Sequence, residues 1–136
     1  MIFRLILLVT LLFAIGCSDL INESELEPKR GLLYNPKNSK PYSGKVYKLY
    51  STGSKMREGV FDLGAIDGSY TYYDNEGSII NPIEENMLDL KDGKKYFPGT
   101  DREYWGLAYG LYQTGETSYE VFYEGGKLSS EYTYFK

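Results

Sequence analysis

The sequence contains no histidine, one cysteine and one tryptophan among 136 residues. Because histidine is the commonest general base and a frequent zinc ligand, its absence excludes Ser-His-Asp triads, Cys-His nucleophiles and histidine-based metal sites. The single Cys17 has no partner for a disulfide within the chain. A net charge of −4 argues against a basic surface for nucleic acid. These shortages favour a protein without catalytic residues, metal, cofactor or nucleic-acid partner.

The first 16 residues have the pattern of an export signal. One positive residue, Arg4, precedes the apolar run Leu5–Ile15, which is too short to span a bilayer. The run ends in Phe-Ala-Ile-Gly-Cys, which resembles the bacterial lipobox and implies cleavage after Gly16 and lipidation of Cys17. The domain would then be exported and anchored by lipid in the bacterial cell envelope, at the outer membrane in a Gram-negative cell. An ordinary signal peptide or a short anchor is the alternative.

The residues that follow Cys17 are polar and acidic. The stretch 18–30 reads SDLINESELEPKR and has little periodicity. We therefore expect a flexible tether over residues 17–30 and a folded domain over 31–136. The domain is predicted to open with a short strand at Gly31–Tyr34.

An internal duplication dominates the rest of the chain. Residues 44–74 align without a gap on residues 106–136 at an offset of 62, and eleven of the 31 paired positions are identical. Such self-similarity is typical of repeat architectures. The identical pairs include Gly44/Gly106, Tyr70/Tyr132 and Tyr72/Tyr134. The sequence thus predicts two equivalent modules.

Within each module, runs rich in Tyr, Thr and Val are bounded by glycine. These residue types favour strands, since branched and aromatic side chains pack well on a pleated surface. The closing triplets Ser-Thr-Gly, Asn-Glu-Gly and Gln-Thr-Gly suit three-residue hairpin loops in which glycine is left-handed. The pattern predicts antiparallel hairpins that form an open, single-layer sheet. The structural glycines of these hairpins are Gly44, Gly53, Gly68, Gly77, Gly106 and Gly115.

These runs carry a family resemblance. PYSGKVYKLYSTGSKMREGVFDLGAIDGSYTYYDNEG is similar to the bacterial variant of the MORN repeat, found in YwqK-like lipoproteins of a toxin–antitoxin group. The resemblance covers residues 31–77 and again 105–136. It implies an open, repetitive antiparallel sheet, no catalytic residue and, for the antitoxin group, inhibition of a partner toxin.

Residues 78–104 interrupt the spacing between the two modules. We interpret them as an irregular insertion. Asn81-Pro82 fits the start of a short helix that would run to Leu90, because proline is favoured at the first helical position. Residues 88–90 also suit a strand before the turn Lys91-Asp92-Gly93. The sequence leaves both structures open.

Side-chain alternation gives the predicted sheet two unlike faces. One face carries large apolar residues and is expected to be the core ridge, together with Tyr47 and Tyr109. The other face carries pairs of tyrosines on alternate strands. The predicted ridge residues are Leu49, Tyr73, Leu111 and Phe135, and the opposite tyrosine pairs are Tyr70 with Tyr72 and Tyr132 with Tyr134.

The tyrosine pairs admit two interpretations. Exposed aromatic rings stack on sugars and anchor protein partners at a small entropic cost. They also clad a thin sheet, because each ring removed from water contributes about 1.5–3 kcal/mol. We expect binding of a protein partner through these rings, with Tyr47 and Tyr109 as further candidate binding residues, or through an unpaired sheet edge. Binding of an envelope glycan is the alternative.

Carboxylates are the only strong acid-base groups that remain. Asp62, Asp67 and Asp74 recur near turns, and a second group lies in the region 78–104. Paired carboxylates hydrolyse glycosides when they are held at a defined separation, but nothing in the sequence sets such a separation. Turn and solvent-facing roles are the expectation. The second group comprises Glu84, Glu85, Asp89 and Asp92.

Overall fold

A computed structural model describes residues 20–136. The predicted signal peptide over residues 1–16 and the predicted lipidation site Cys17 lie outside the described residues. The described chain is mainly β, and its only helices are two 3-10 turns, Glu23–Glu25 and Glu85–Met87. Its strands form four sheets, none of them closed, rather than the single open sheet predicted from the sequence.

Residues 20–136 contain fifteen strands, which run in chain order through two units. The first unit holds β1 Leu20–Asn22, β2 Glu27–Lys29, β3 Leu32–Asn35, β4 Lys40–Pro41, β5 Gly44–Leu49, β6 Lys55–Asp62, β7 Ala65–Tyr73 and β8 Ile79–Ile80. The second holds β9 Ile83–Glu84, β10 Asp89–Lys91, β11 Lys94–Tyr96, β12 Gly106–Leu111, β13 Thr117–Glu124, β14 Lys127–Leu128 and β15 Thr133–Tyr134.

Each unit is built around one five-stranded sheet. In the first unit the strand order is β1-β5-β6-β7-β8, with β1 parallel to β5 and the other pairs antiparallel. In the second unit β9 is parallel to β12, β12 pairs antiparallel with β13, and β13 pairs with both β14 and β15. The strands β2, β3 and β4 form a small sheet, and β10 pairs with β11.

The central hairpins of the two units pair in the same register at the offset of 62. Gly44 lies opposite Phe61 in the first, and Gly106 lies opposite Tyr123 in the second. Their loops also close alike: the Tyr50 N–H donates to the Ser54 carbonyl at 2.8 Å, as the Tyr112 N–H does to Glu116. The last loop residue is a glycine with φ near +90° in both, a conformation that favours glycine.

The same offset extends upstream of the hairpins. The 3-10 turn Glu23–Glu25 corresponds to Glu85–Met87, and the β2-β3 pairing of Glu27 with Tyr34 corresponds to the β10-β11 pairing of Asp89 with Tyr96. Residues 78–104 are therefore corrected from an irregular insertion to the end of the first unit and the regular start of the second. Of the two alternatives for residues 82–90, the strand is the one observed, as β10.

The predicted tether over residues 17–30 is likewise corrected from Leu20 onward. Leu26 is buried with 5% exposure, and Ile21 packs against the same cluster. Glu23 pairs with the buried Arg57 at 2.6 Å. Although the segment is acidic in composition, the buried Leu26 and the ion pair between Glu23 and Arg57 hold it on the first sheet.

The buried clusters that contain Val46 and Ala108 lie on the face opposite the predicted ridge. Val46 and Ala108, equivalent residues of β5 and β12, are both fully buried, whereas Leu49 is 38% exposed and Leu111 is 42% exposed. The predicted ridge is therefore wrong. The prediction assumed a single-layer sheet, but other segments cover each hairpin. In the first unit Leu26 and Tyr42 lie over Val46. Leu88 and Tyr104 lie over Ala108 in the second.

Candidate functional site

The six tyrosines singled out from the sequence fall on two faces. Tyr47 and Tyr109 alternate with the buried Val46 and Ala108 along their strands, so they point to the reverse face of each sheet. The remaining four lie on the face that carries Val46 in the first unit and Ala108 in the second, which we call the core face. The structure thus separates Tyr47 and Tyr109 from the tyrosine pairs.

In the first unit, Tyr70 and Tyr72 are half-buried partners of an ion pair. Their ring centres are 5.9 Å apart. The Arg57 guanidinium lies 4.0 Å above the Tyr70 ring and donates two hydrogen bonds to Glu23, at 2.6 and 3.1 Å. Burial raises the pKa of Tyr70 to about 12, against the opposing charge of Arg57. Both rings therefore contribute to the packing of the first unit.

The same tyrosine pair borders an open groove. The groove has a volume of about 540 Å³ and runs between the end of β7 and the segment 79–82. Ile79, which is 72% exposed, lines it together with Ile80 and Pro82. One edge of Tyr70 and Tyr72 thus remains accessible beside an apolar wall.

In the second unit the tyrosine pair is more exposed and has a third member. Tyr132 and Tyr134 stack at 6.1 Å with an angle of 25° between the rings, and Tyr134 is 72% exposed. The ring of Tyr119 lies edge-on to Tyr132 at 5.3 Å and 6.1 Å from Tyr134. We call Tyr119, Tyr132 and Tyr134 the tyrosine cluster.

Glu85 lies at the base of the tyrosine cluster. Its carboxylate accepts hydrogen bonds from the hydroxyls of Tyr132, at 3.1 Å, and Tyr123, at 3.2 Å. Burial, reinforced by this carboxylate, raises the pKa of Tyr123, Tyr132 and Tyr119. These phenols therefore stay protonated donors well above neutral pH.

Sequence reasoning missed both Tyr119 and the position of Glu85. The signal was present at the offset of 62, since Glu85 corresponds to Glu23 and Tyr119 to Arg57. Upstream of Gly44 the identities at this offset are isolated single residues, which give a weaker signal than the duplication over residues 44–74.

The two units meet at Phe122. Its ring is on the reverse face of the second unit, where Phe122 lies opposite Leu107. Lys48 Nζ lies 4.8 Å and the Arg57 guanidinium 5.1 Å from the centre of that ring, so the reverse face of the second unit covers part of the core face of the first. Burial, aided by Arg57, lowers the pKa of Lys48. Tyr50, Met56 and Leu107 complete this apolar contact.

Two of the predicted carboxylates, Asp74 and Asp89, are held by hydrogen-bond or ion-pair partners. Asp74 is 1% exposed and accepts hydrogen bonds from the backbone N–H groups of Glu76 and Ser78. Arg102 pairs with it at 3.1 Å. Although burial opposes the charge, Arg102 and the two N–H groups lower the pKa of Asp74. Asp89 accepts from the Gly99 N–H at 2.8 Å, which ties β10 to the following loop.

All six glycines predicted as structural have positive φ. Across residues 20–136, no helix is long and apolar enough to cross a bilayer. Nor do the acidic residues in that range form any group suited to a metal ion.

No family model gives a significant match to the chain, and neither does any curated protein or solved structure.

Proposed function

We propose that this protein is a lipid-anchored, non-enzymatic module of the bacterial cell envelope that binds a protein partner through the tyrosine cluster. The lipobox-like sequence before Cys17 supports the proposed lipid anchoring in the cell envelope. The MORN-like Gly-Tyr-Thr hairpins support a repeat whose role is to present a surface. The partner is expected to be another envelope protein, and the toxin-inhibiting role that the resemblance implies is one form such binding would take.

The observation that carries the proposal is an asymmetry between equivalent faces. The core face of the first unit is partly covered by Phe122 of the second. The equivalent face of the second unit has no covering residue of this kind within residues 20–136, and its Tyr134 is 72% exposed. A stacking surface that is partly covered in the first unit is therefore exposed in the second. Rigid aromatic side chains in such a position are typical of binding hot spots.

The remaining acidic groups support a non-catalytic role. Asp74 is engaged by two backbone N–H groups and Arg102, and Glu23 by Arg57. Glu85 is held by two tyrosine hydroxyls. Each of these carboxylates already stabilises a turn or a packed cluster, as turn and surface carboxylates commonly do.

The proposed anchor would hold the domain close to the membrane. The described residues begin at Leu20, three residues after Cys17. An extended segment of that length spans about 10 Å. The surface near β1 would then face the lipid. Cys17→Ser should remove incorporation of labelled fatty acid and release the domain from the membrane fraction, and labelling of that variant would contradict the lipoprotein proposal.

A glycan is the second candidate ligand. The near-parallel rings of Tyr132 and Tyr134, with Tyr134 largely exposed, resemble the flat platforms on which sugar rings stack. We place the glycan second because sugar-binding platforms usually use tryptophan. The chain has one tryptophan, Trp105, which lies away from the tyrosine cluster, edge-on to Tyr50 at 5.2 Å. Sedimentation with purified cell-wall glycan separates the two ligands.

The test is crosslinked capture of the lipidated protein from its native envelope, followed by mass spectrometry. Tyr134→Ser should lose a stoichiometric partner without loss of folding, since the side chain is exposed. Leu63→Ser, at a 67% exposed turn position of the first unit, is the matched control and should retain the partner. Retention of the partner by a folded Tyr134→Ser variant would contradict the proposed surface. Glycan sedimentation without a protein partner would replace the leading candidate with the second.

A further inference from the structure

The first unit contains a guanidinium-binding site that is occupied by an arginine of the same chain, Arg57. Arg57 is 8% exposed and donates to both carboxylate oxygens of Glu23, at 2.6 and 3.1 Å. Its guanidinium lies near the faces of two rings, 4.0 Å from the centre of Tyr70 and 5.1 Å from that of Phe122. A planar cation held in two hydrogen bonds and stacked on aromatic faces is the arrangement that arginine prefers.

The second unit keeps the receiving groups of this site and lacks the cation. Glu85 stands where Glu23 stands, at the same 3-10 turn, and Tyr132 stands where Tyr70 stands. The position of Arg57 is taken by Tyr119. Among the described residues, no lysine or arginine forms an ion pair with Glu85. The carboxylate of the second unit therefore accepts hydrogen bonds from Tyr123 and Tyr132 but has no cationic partner within residues 20–136.

A second substitution explains how Tyr119 fits in place of an arginine. Lys48 of the first unit is replaced by Gly110 in the second. The Tyr119 ring lies directly on Gly110, within 2.1–2.8 Å of the point where a β-carbon would stand. The ring thus uses the volume of the missing side chain and lies against the sheet. The rings of Tyr132 and Tyr134 stand beside it.

We propose that the tyrosine cluster and Glu85 accept the guanidinium of an arginine side chain on the partner protein. The inference rests on the proposed function and gives the partner its chemistry. Glu85 provides the charge, and the rings of Tyr132 and Tyr134 provide the stacking faces, as Glu23, Tyr70 and Phe122 do for Arg57. Arginine is preferred to lysine because its planar fork matches a carboxylate and stacks on rings, whereas an ammonium is a compact, strongly hydrated charge.

The first test uses small probes on the purified folded domain. N-acetyl-arginine amide, N-acetyl-lysine amide and N-acetyl-citrulline amide are titrated while the tyrosine ring resonances are followed by NMR. We expect saturable shifts at Tyr119, Tyr132 and Tyr134 with the arginine probe and at least about fivefold weaker binding of the uncharged citrulline isostere, because the cation and its paired hydrogen bonds are lost. Equal binding of the arginine and citrulline probes, or no shift with either, would overturn the proposal.

Variants of the carboxylate give the matched comparison. Glu85→Gln retains an acceptor for the tyrosine hydroxyls but removes the charge, and should weaken the arginine probe about tenfold. Glu116→Gln, in the exposed loop of the same unit, should bind as the unchanged protein does. Identical affinities for the Glu85→Gln and unchanged proteins would contradict the site.

Tyr119→Arg rebuilds the first-unit arrangement in the second unit. The introduced guanidinium should pair with Glu85 and stack on Tyr132, raise Tm by about 3 °C or more, and abolish binding of the arginine probe. Probe binding by this folded variant would contradict the proposal, whether or not Tm rises. Capture of the envelope partner separates this inference from the proposed function: a partner kept by Glu85→Gln but lost by Tyr134→Ser leaves the binding surface valid and refutes the arginine.

Discussion

Arg57 and Glu23 are joined by two hydrogen bonds across 34 residues of chain, at 2.6 and 3.1 Å. The pair links the 3-10 turn after β1 to the middle of β6, and both side chains are largely buried. Breaking such a pair leaves a buried charge without its counter-ion. The segment before the first hairpin is thus part of the folded domain.

Glu23→Gln should therefore destabilise the protein by about 3 kcal/mol, because Arg57 stays buried and charged. Urea unfolding followed by far-UV circular dichroism measures the change in the free energy of unfolding. Glu25→Gln, in the same 3-10 turn but exposed, should stay within about 0.5 kcal/mol of the unchanged protein. Equal effects of the two substitutions would mean that residues 20–30 contribute no specific ion pair.

Leu26 and Leu88 are the equivalent apolar anchors of the two upstream segments, and each is 5% exposed. Leu26→Ala and Leu88→Ala should each lower the free energy of unfolding by about 2–4 kcal/mol through lost burial and a residual cavity. Leu90→Ala, at a 65% exposed position two residues after Leu88, serves as the control and should cost less than about 0.5 kcal/mol. A neutral Leu26→Ala would show that the first segment does not pack as described.

Asp74 should give the protein an acid-sensitive component of stability. Arg102 and the N–H groups of Glu76 and Ser78 outweigh burial and lower the pKa of Asp74 from its usual 3.8. A lowered folded-state pKa means that this stabilisation is complete above pH 3.8 and is lost as the pH falls through the folded pKa. Asp74→Asn should therefore lose less stability than the unchanged protein between pH 5 and pH 2.

The measurement is the urea midpoint of both proteins at each pH. Parallel decreases would contradict the assignment to Asp74. Asp67→Asn is the comparison, since Asp67 is exposed on β7 and has no ion pair within residues 20–136. It should follow the unchanged protein across the same range.

The mainly β class was predictable because Tyr, Thr and Val alternate between glycines along residues 44–77. The buried face was not, since a period of two defines two faces without stating which is covered. The covering residues, such as Leu26 and Tyr42, lie in segments whose composition is polar. The upstream half of the repeat was missed for a related reason: its identities are isolated single residues. They are Ile21/Ile83, Glu23/Glu85, Leu26/Leu88, Lys29/Lys91, Gly31/Gly93, Tyr34/Tyr96, Pro36/Pro98 and Tyr42/Tyr104.

The candidate site shows the same limit. Tyr132 and Tyr134 were found because they recur as identical residues at the offset of 62. Tyr119 was not, because it replaces Arg57 and breaks the repeat. Positions where two equivalent units differ are thus as informative as those where they agree, since a difference at a packed position changes what the site holds. Only the contacts of Arg57 with Glu23 and Tyr70 show that the second unit, with Tyr119 at this position, lacks a guanidinium beside Glu85 and Tyr132.

Phe122 and Val60 are equivalent residues with opposite environments, which allows a test of how the units are joined. Phe122 is 8% exposed beneath Lys48 and Arg57, whereas Val60, on the free reverse face of the first unit, is 46% exposed. Phe122→Ala should cost about 3–5 kcal/mol because it empties the contact between units. Val60→Ala should cost less than about 1 kcal/mol, since little of its surface leaves water on folding.

Trp105 provides the readout, because it is the only tryptophan, lies edge-on to Tyr50 and packs against the buried cluster that contains Phe122. Its fluorescence should report unfolding of the contact and shift to longer wavelength in Phe122→Ala under native conditions, as water reaches the indole. The unchanged protein and Val60→Ala should show the same emission maximum. If Phe122→Ala kept both the stability and the emission of the unchanged protein, the two units would be joined by something other than this aromatic contact. The contact of Phe122 with the core face of the first unit could then no longer serve as the model for how a partner binds the tyrosine cluster of the second unit.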